Sequence, residues 1–236
     1  MSFSEVLSSG ANAYGIEISE KSARLLERYG AELEEYNKNV NLTAITGEDE
    51  IARLHFVDSL SVAAAVPLAG KKAIDIGSGG GFPGLPLKIF EPSLDMTTVD
   101  SVGKKVDFMN HIGSMLELEG FVSLHARAEE LGQSAEHRQK YDLAVSRAVA
   151  QLNLLCELCL PLVKVGGLFV AMKTPESAEK ELEAAAKAIK LLGGKLEARY
   201  DYTLGEAPRR LLIIKKVAPT PKAYPRRFSR IKAEPL

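Results

Sequence analysis

Apolar residues recur every three or four positions in two stretches of the first seventy residues. Between Ile18 and Tyr36 they are Leu25, Leu26, Tyr29, Leu33 and Tyr36. Between Glu48 and Val66 they are Ile51, Leu54, Val57 and Leu60. This spacing places an apolar stripe along each of two helices. The polar segment NVNLTAIT separates them, and we predict an all-helical extension over residues 1–70.

A different pattern begins after Lys72, where short β-rich runs alternate with helical ones. The predicted strands are 73–76, 95–100, 121–125, 141–146, 168–173, 196–203 and 210–217. The predicted helices are 85–90, 103–118, 151–163 and 176–192. This alternation is typical of a parallel sheet with helices on both faces. Because only GEAP separates the last two strands, we predict a mostly parallel, seven-stranded α/β sheet that ends in an antiparallel hairpin.

Residues 218–236 contain four prolines and show no periodicity. We therefore divide the chain into a helical extension (1–70), an α/β domain (71–217) and a basic tail (218–236). From Pro208 to Leu236 there are nine Lys or Arg residues and one acidic residue, a net charge of +8. The remainder has 21 Lys or Arg residues against 30 acidic ones, a net charge of −9. A basic end on an acidic body fits a polyanionic partner or, equally well, a solvated tail.

Composition narrows the class of protein. With 46% hydrophobic and 26% charged residues among 236, the chain is typical of a globular protein with a large core. The start, MSFSEVLSSG, lacks the layout of a signal peptide, and the run VAAAVPLAG is too short to cross a bilayer. We expect a cytoplasmic monomer that binds no membrane and no metal ion. Cys156 and Cys159 lie in an apolar helical run, which favours core packing over redox or metal chemistry.

The sequence DIGSGGGFPGLPLKI, residues 75–89, places a glycine loop between the first strand and a helix. Read from Gly79, Gly81 and Gly84, the loop matches G-x-G-x-x-G, which several nucleotide-binding folds share. A nicotinamide-dependent dehydrogenase is therefore one interpretation. However, Asp75 lies near the end of the first strand, where a carboxylate would repel the pyrophosphate of a dinucleotide and attract an ammonium group.

Asp100 ends the next strand, MTTVD, where a carboxylate can accept hydrogen bonds from both hydroxyls of a ribose. The helix that begins near Leu85 offers free N–H groups to a ligand carboxylate. Ammonium, carboxylate and ribose diol together describe S-adenosylmethionine, and glycines let the backbone approach it closely. The pattern thus favours a class I methyltransferase fold. The predicted cofactor-binding residues are Asp75, Gly79, Gly81 and Asp100.

The segment after the fourth strand, AVSRAVAQ, faces the transferable methyl group in this fold. It has no Asn/Asp-Pro-Pro-Tyr/Phe sequence for an exocyclic amine and no cysteine for covalent attack on a pyrimidine. These absences fit an acceptor that is already nucleophilic, such as a ring nitrogen, which needs alignment rather than a base. Arg147 in this segment is predicted to contact the cofactor, a phosphate or a base edge, or to form a structural ion pair.

Six segments of the chain form a set that is more specific than the glycine loop alone. They are NLTAIT (41–46), HFVDSL (55–60), DIGSGGGFPGLPLKI (75–89), VDSVGKKVDFM (99–109), RAEEL (127–131) and SRAVA (146–150). Together they resemble one family, the bacterial small-subunit ribosomal RNA methyltransferase G, also known as glucose-inhibited division protein B. The resemblance implies transfer of a methyl group from S-adenosylmethionine to N7 of a guanine in 16S ribosomal RNA, free or in the small ribosomal subunit.

The resemblance also implies roles for single residues. Gly77 and Phe82 would line the cofactor. Ala128 and Glu129 would lie near its adenine. Arg147 would stand at the methyl-transfer end as the catalytic residue. The predicted RNA contacts are Lys173, which could also be a rim charge, and the tail residues Arg226, Arg227 and Arg230.

Two further hypotheses concern residues outside the glycine loop. His55 and Asp58 are three apart on a predicted helix and share a face, so we expect them to brace the extension on the sheet rather than to steer the guanine. A non-enzymatic alternative is an RNA-binding assembly factor. It would have no use for Asp75, Asp100 and Arg147 together, which argues against it.

Overall fold

The computed structural model describes all 236 residues, and its centre is one seven-stranded sheet. The strands are β1 (Lys72–Ile76), β2 (Asp95–Asp100), β3 (Phe121–His125), β4 (Tyr141–Arg147), β5 (Val163–Lys173), β6 (Gly194–Leu204) and β7 (Ala207–Lys216). Their order is β3-β2-β1-β4-β5-β7-β6, so β3 and β6 are the edges. β1 to β5 are parallel, and β7 is antiparallel to β5 and β6. The structure confirms the predicted sheet and hairpin.

Ten helices surround this sheet. They are α1 (Phe3–Ala13), α2 (Glu20–Asn37), α3 (Glu48–Ile51), α4 (Asp58–Ala65), α5 (Gly84–Phe90), α6 (Gly103–Met115), α7 (Ala128–Gln133), α8 (Leu152–Cys159), α9 (Pro175–Leu191) and α10 (Phe228–Ala233). A π-helical segment, Ala52–Val57, joins α3 to α4. The sequence pattern does not predict α1, α7 or α10. None of these helices combines the length and the apolar character needed to cross a membrane.

Helix α1 begins at a capping box that its sequence encodes. The Ser2 hydroxyl accepts a hydrogen bond from the Glu5 N–H at 3.3 Å, and the Glu5 carboxylate accepts one from the Ser2 N–H at 2.9 Å. Phe3, Leu7 and Ala11 belong to the buried face of the helix. The helix therefore forms from its cap and its buried face, although its serines and glycine are weak helix formers.

The two faces of the sheet carry different layers, because successive side chains of a strand point to opposite sides. Ile74 and Val99 belong to the core beneath α7, α8 and α9. Ala73 and Met96 belong to the core on the other face, which includes residues of α4 and α5. The helical extension adds a further core around α2, α5 and α6 on that side, next to the loop that follows β1.

Residues 218–236, predicted to be a tail, pack against the α/β domain. The Arg138 guanidinium donates hydrogen bonds to the carbonyls of Tyr224 and Thr220 at 2.7 and 2.8 Å. Ile231 of α10 is fully buried in the core under α8. The buried Lys216 ammonium donates to the carbonyls at the ends of α8 and α9 and to the Thr220 hydroxyl. The segment is thus a docked part of the fold.

Candidate functional site

The loop from β1 to α5 lies at the carboxyl ends of the parallel strands. The N–H groups of Gly77 and Ser78 donate to the Val99 carbonyl at 2.9 and 3.1 Å, and the Ser78 hydroxyl donates to the Asp75 carbonyl at 3.0 Å. Gly77 and Gly79 have φ angles of +73° and +60°, which residues other than glycine rarely adopt. Hydrogen bonds and glycine conformations together fix this loop between β1 and β2.

Open space lies beside Gly79, where a Cβ would meet no heavy atom within 4 Å. Gly77 differs, since a Cβ there would come within 2.4 Å of Val149 in the segment after β4. Val149 is 40% exposed, and the neighbouring Ala148 has a positive φ of 56°. The loop therefore presents an open backbone surface at Gly79 and is bordered at Gly77 by the segment 148–150.

Asp75 lies directly beneath this loop and is fully buried. Its Oδ2 accepts a hydrogen bond from the Gly84 N–H at 2.9 Å, at the start of α5. Its Oδ1 has no hydrogen-bond partner within the protein. Burial raises the pKa of this carboxyl to about 7, against the lowering effect of the Gly84 N–H. A positive ligand group near the loop would favour the ionised form.

Asp100, at the end of β2, stands beside the open surface. Its Oδ2 accepts from the Gly79 N–H and its Oδ1 from the Val102 N–H, each at 2.9 Å. Each oxygen keeps a second lone pair for a ligand. The Asp100 carbonyl accepts from the Ala126 N–H at 3.2 Å, which brings the start of α7, with Ala128 and Glu129, close to Asp100.

Phe82, predicted to line the cofactor, is instead packed into the helical extension. It is 4% exposed and stacks on Tyr29 and His55 with ring centroids 5.3 and 4.5 Å away. A Cβ on Gly81 would collide with Leu85 and the Tyr29 hydroxyl. This half of the loop therefore anchors the extension, and the cofactor contacts of Gly81 and Phe82 stay predictions.

Arg147, predicted to be catalytic, also ends in the helical extension. Its Nη1 donates to the Leu54 carbonyl and to Asp58 Oδ2, both at 2.9 Å, and its Nη2 lies 2.8 Å from His55 Nδ1. The side chains of Arg147 and Asp58 are only 16% and 8% exposed. Of the roles that the sequence left open, the structure shows the ion pair. The catalytic role and the cofactor contact of Arg147 stay predictions.

The π-helical segment provides the groups that the Arg147 guanidinium contacts. The N–H of Asp58 donates to the carbonyl of Arg53, five residues back, as the wider π turn requires. Arg147 reaches the Leu54 carbonyl within the same turn. The irregular helix thus offers both a carbonyl and the His55 and Asp58 side chains to one guanidinium.

Two more residues extend the network. The Tyr202 hydroxyl of β6 donates to Asp58 Oδ1 at 2.8 Å, and His55 Nε2 lies 2.8 Å from the Thr43 hydroxyl. Burial and the Arg147 charge lower the pKa of His55 to about 3, so the ring is neutral and its Nδ1 accepts from Arg147. We call this group the brace cluster: Thr43, His55, Asp58, Arg147 and Tyr202. It agrees with the bracing role expected of His55 and Asp58.

Two of the predicted RNA contacts are also engaged within the protein. The Lys173 ammonium lies 2.7 Å from the Glu181 carboxylate and is 9% exposed. Arg226 pairs at 2.6 Å with Glu157, which is fully buried. The RNA contacts of both residues stay predictions, and each cation would have to keep its partner, because leaving would strand a buried or largely buried carboxylate.

The other two predicted RNA contacts lie on the surface. Arg227 and Arg230 are both exposed. Arg230 lies 3.4 Å from the Glu234 carboxylate one helical turn further on, and both side chains of this pair are more than 60% exposed. An ion pair so open to solvent is weak, and it leaves the guanidinium accessible to a phosphate.

Sequence reasoning missed the residues that act across long separations. Tyr29 donates from its hydroxyl to the Gly80 carbonyl of the loop, and Tyr202 reaches the brace cluster from β6. Their only signal is a place in an apolar pattern, which does not reveal a hydroxyl partner. No group of three or more His, Cys, Asp or Glu side chains is placed to hold a metal ion.

Comparison with known proteins identifies similar chains. Residues 22–206 match the family model described as rRNA small subunit methyltransferase G. The Ribosomal RNA small subunit methyltransferase G of Clostridium botulinum (strain ATCC 19397 / Type A) is 44% identical over 239 residues, covering 100% of both chains. The protein of that name from Pelotomaculum thermopropionicum is 47% identical over 227 residues and 94% of each chain.

Solved structures share the fold at low sequence identity. The ribosomal protein L11 methylase from Lactobacillus delbrueckii subsp. bulgaricus has a TM-score of 0.54 at 11% identity, covering 73% of this chain and 81% of its own. The [4+2]-cyclase SpnF has a TM-score of 0.57 at 13% identity, covering 85% of this chain and 98% of its own. These likenesses show the class I methyltransferase fold alone.

Proposed function

Because the chain belongs to the rRNA small subunit methyltransferase G family, we propose that it transfers a methyl group from S-adenosylmethionine to N7 of a guanine in 16S ribosomal RNA. Family membership removes the dehydrogenase as an alternative. The target atom and the mechanism are our inference. The observation that carries them is the open surface at Gly79 beside Asp100, together with a segment after β4, AVSRAVAQ, that has no cysteine and no Asn/Asp-Pro-Pro-Tyr/Phe sequence.

The residues at the loop fit S-adenosylmethionine. Gly77 and Gly79 allow the backbone to approach the methionine part, and Asp100 has lone pairs left for the ribose hydroxyls. Ala128 and Glu129 would lie against the adenine. The buried Asp75 would act through its charge, beneath the loop, on the positive groups of the ligand. When bound, the cofactor supplies an electrophilic methyl group on a positively charged sulfur.

No side chain has to remove a proton, since N7 of guanine carries none. His55, which contacts Arg147 at the end of β4, has both ring nitrogens engaged by Arg147 and Thr43. The task of the chain is therefore to align the acceptor nitrogen and to exclude water. We assign the alignment to segment 148–150, which borders Gly77, and we assign to Arg147 the positioning of that segment from the brace cluster.

The RNA partner would meet exposed cations of the docked C-terminal segment. Arg227 and Arg230 are exposed and are the candidates for phosphate contacts. The substrate is 16S ribosomal RNA, free or in the small subunit, so the protein would act in the cytoplasm. We propose that it acts as a monomer.

The proposal is tested by mapping N7-methylguanine in 16S ribosomal RNA from cells that contain or lack this protein. We expect one guanine to lose its modification in the deletion strain and to regain it with the wild-type gene. Complementation with Asp100→Ala should fail, whereas Asp107→Ala, a change of an exposed acid on α6, should restore the mark. An N7-methylguanine pattern that is identical in the two strains would refute the proposal and would favour the binding role of an assembly factor.

A further inference from the structure

Three polar residues form a row across the sheet on the face that α5 and α6 cover. In the parallel register Asp75 of β1 pairs with Thr98 of β2, and Thr98 pairs with Ser123 of β3. Paired residues of parallel strands point to the same face. Gly84 of α5 lies against that face, since a Cβ there would come within 2.9 Å of both Asp75 and Thr98. We call Asp75, Thr98 and Ser123 the polar row.

The polar row contains the unpartnered polar atoms of this protein. Three buried side-chain atoms have no hydrogen-bond partner within the chain, and they are Asp75 Oδ1, Thr98 Oγ1 and Ser123 Oγ. The three residues are 0%, 0% and 7% exposed. Buried polar atoms in folded proteins nearly always bond to a protein group or to an ordered water. Their confinement to one row indicates a common ligand.

The spacing of the row identifies that ligand. Side chains this short can meet across neighbouring strands about 4.8 Å apart, but Asp75 Oδ1 and the two hydroxyls of the row make no hydrogen bond to one another or to any other group of the chain. A single water that makes two hydrogen bonds spans such a gap. Water also supplies both the donor that a carboxylate needs and the acceptor that a hydroxyl needs.

We propose that the polar row is an internal water site, in which ordered waters join Asp75 Oδ1 to the hydroxyls of Thr98 and Ser123. The row runs from the centre of the sheet to its edge, because β3 is an edge strand. Ser123 is the most exposed of the three residues and lies at the end of the row nearest the edge of the sheet. Asp75 is thus hydrated from within the helix-covered face of the sheet rather than from the open surface at Gly79.

This hydration decides how readily Asp75 ionises. The other groups that influence it are the Gly84 N–H, the Ser78 hydroxyl and the charges of Arg147 and Asp100, and its own charge acts on Tyr29 of α2 and Cys159 of α8. Water on Oδ1 adds a donor that favours the carboxylate. The contribution of this hydration to binding a positively charged ligand rests on the proposed function. The existence of the water site does not depend on that function.

The test is a carbon-13 NMR titration of the Asp75 carboxyl in the full chain without cofactor, assigned by its loss in Asp75→Asn. The wild-type midpoint should lie above the usual value of an aspartic acid, because Asp75 is buried, but below about 7, because the waters favour the carboxylate. Thr98→Val removes the hydroxyl at constant shape and should raise the midpoint by about one pH unit. Thr98→Ser keeps the hydroxyl and should leave it unchanged.

Thr97→Val is the matched control, because Thr97 is also buried on the same strand but points to the other face. If Thr98→Val does not fold, Ser123→Ala tests the far end of the row and should shift the midpoint in the same direction. A folded Thr98→Val or Ser123→Ala protein with the wild-type midpoint would overturn the proposal. A midpoint that depends on Na⁺ or K⁺ at constant ionic strength would also overturn it, since it would indicate a bound cation. No cofactor or RNA is present, so failure here is distinct from failure of the proposed function.

Discussion

Two groups of buried polar residues lie side by side at the carboxyl end of the sheet and differ in how they are satisfied. In the brace cluster, Arg147, Asp58 and His55 all have hydrogen-bond partners from other elements. In the polar row, Asp75 and its neighbours each keep an atom without a partner in the protein. The brace cluster satisfies its hydrogen bonds within the chain, whereas the polar row needs hydrogen-bond partners from outside the chain.

We interpret the brace cluster as holding the fold together and the polar row as serving a ligand. A buried ion pair whose bonds are all made within the chain holds two parts of the fold together, as Arg147 does for the extension and β4. A buried acid with a spare oxygen beneath a glycine loop is ready to respond to a ligand charge. Each group contains a buried aspartate, Asp58 or Asp75, so the hydrogen-bond partners rather than the burial distinguish the two.

The largest effect should come from breaking the brace cluster. Asp58→Ala strands the buried Arg147 guanidinium and the Tyr202 hydroxyl, and we expect a loss of about 3–5 kcal/mol in the free energy of unfolding. Urea denaturation measures it. The control is Glu197→Ala on β6, whose ion pair with Lys215 has both side chains more than 40% exposed and should contribute at most about 1 kcal/mol. Equal losses in both variants would show that the brace cluster stabilises the fold no more than an exposed ion pair does.

The next effect concerns ligand binding at the open surface. Asp100→Ala should weaken S-adenosylmethionine binding at least about tenfold, because each hydrogen bond to a charged group contributes roughly 1.5–3 kcal/mol. Calorimetry measures the affinity, and circular dichroism checks that the variant is folded. Asp107→Ala should bind like the wild type. Unchanged affinity in folded Asp100→Ala would exclude the ribose contact.

The third effect is a pH dependence of S-adenosylmethionine binding that comes from Asp75. The pKa of Asp75 is raised to about 7 in the free protein, and a cationic ligand favours the ionised form. Affinity for S-adenosylmethionine should therefore fall as the pH drops below 7, by up to about tenfold per pH unit, and level off above about 8. Asp75→Asn should bind weakly at every pH. A wild-type affinity that is flat from about pH 5 to 8 would contradict the role of Asp75.

The same raised pKa has the opposite effect on the stability of the free protein. The folded form holds the Asp75 proton up to about pH 7, whereas the unfolded chain releases it near about pH 4. The contribution of Asp75 to stability is thus present at low pH and is lost as the pH rises through this range. Asp75→Asn should lack that loss, which urea denaturation at several pH values can show.

The smallest effect distinguishes exposed from buried cations in the C-terminal segment. The double variant Arg227→Gln/Arg230→Gln should make the log–log salt dependence of RNA binding shallower by up to about 0.7–0.9 for each phosphate that is no longer bound, with little change in stability. The control, Lys187→Gln/Lys190→Gln on α9, removes the same charge from another exposed surface. An equal change in both variants would point to net charge rather than to phosphate contacts.

Most of the sheet could be predicted from the sequence. The strands 95–100 and 121–125 have the predicted bounds, because β-rich runs and their turns are local signals. The apolar pattern does not predict the helices α1 and α10. α1 has a local signal in its Ser2–Glu5 capping box, which lies outside that pattern, whereas α10 depends on burial against distant residues, as Ile231 shows in the core under α8. Local propensity alone does not report such packing.

In the candidate site, too, features encoded by local sequence could be predicted and long-range contacts could not. The glycine loop and its two acids were predictable, because their positions follow from the ends of adjacent strands. The ion-pair partners of two arginines among the candidate site residues were not predictable. Arg147 finds Asp58 across 89 residues of sequence and Arg226 finds Glu157 across 69, and no local pattern contains those partners. A cation next to a motif therefore suggests a ligand contact, while the ion pair that the fold gives it cannot be predicted from the sequence.

The edge strand β6 has a consequence for how the molecule behaves among its copies. An exposed strand edge can template the addition of another chain, which is a route to aggregation. Here Lys195, Glu197, Arg199 and Asp201 are all exposed along β6, and the register shifts between Leu196 and Ala198. Charges and a local bulge both oppose strand addition. The long hairpin can thus extend the sheet to solvent while discouraging fibrous self-association in a crowded cell.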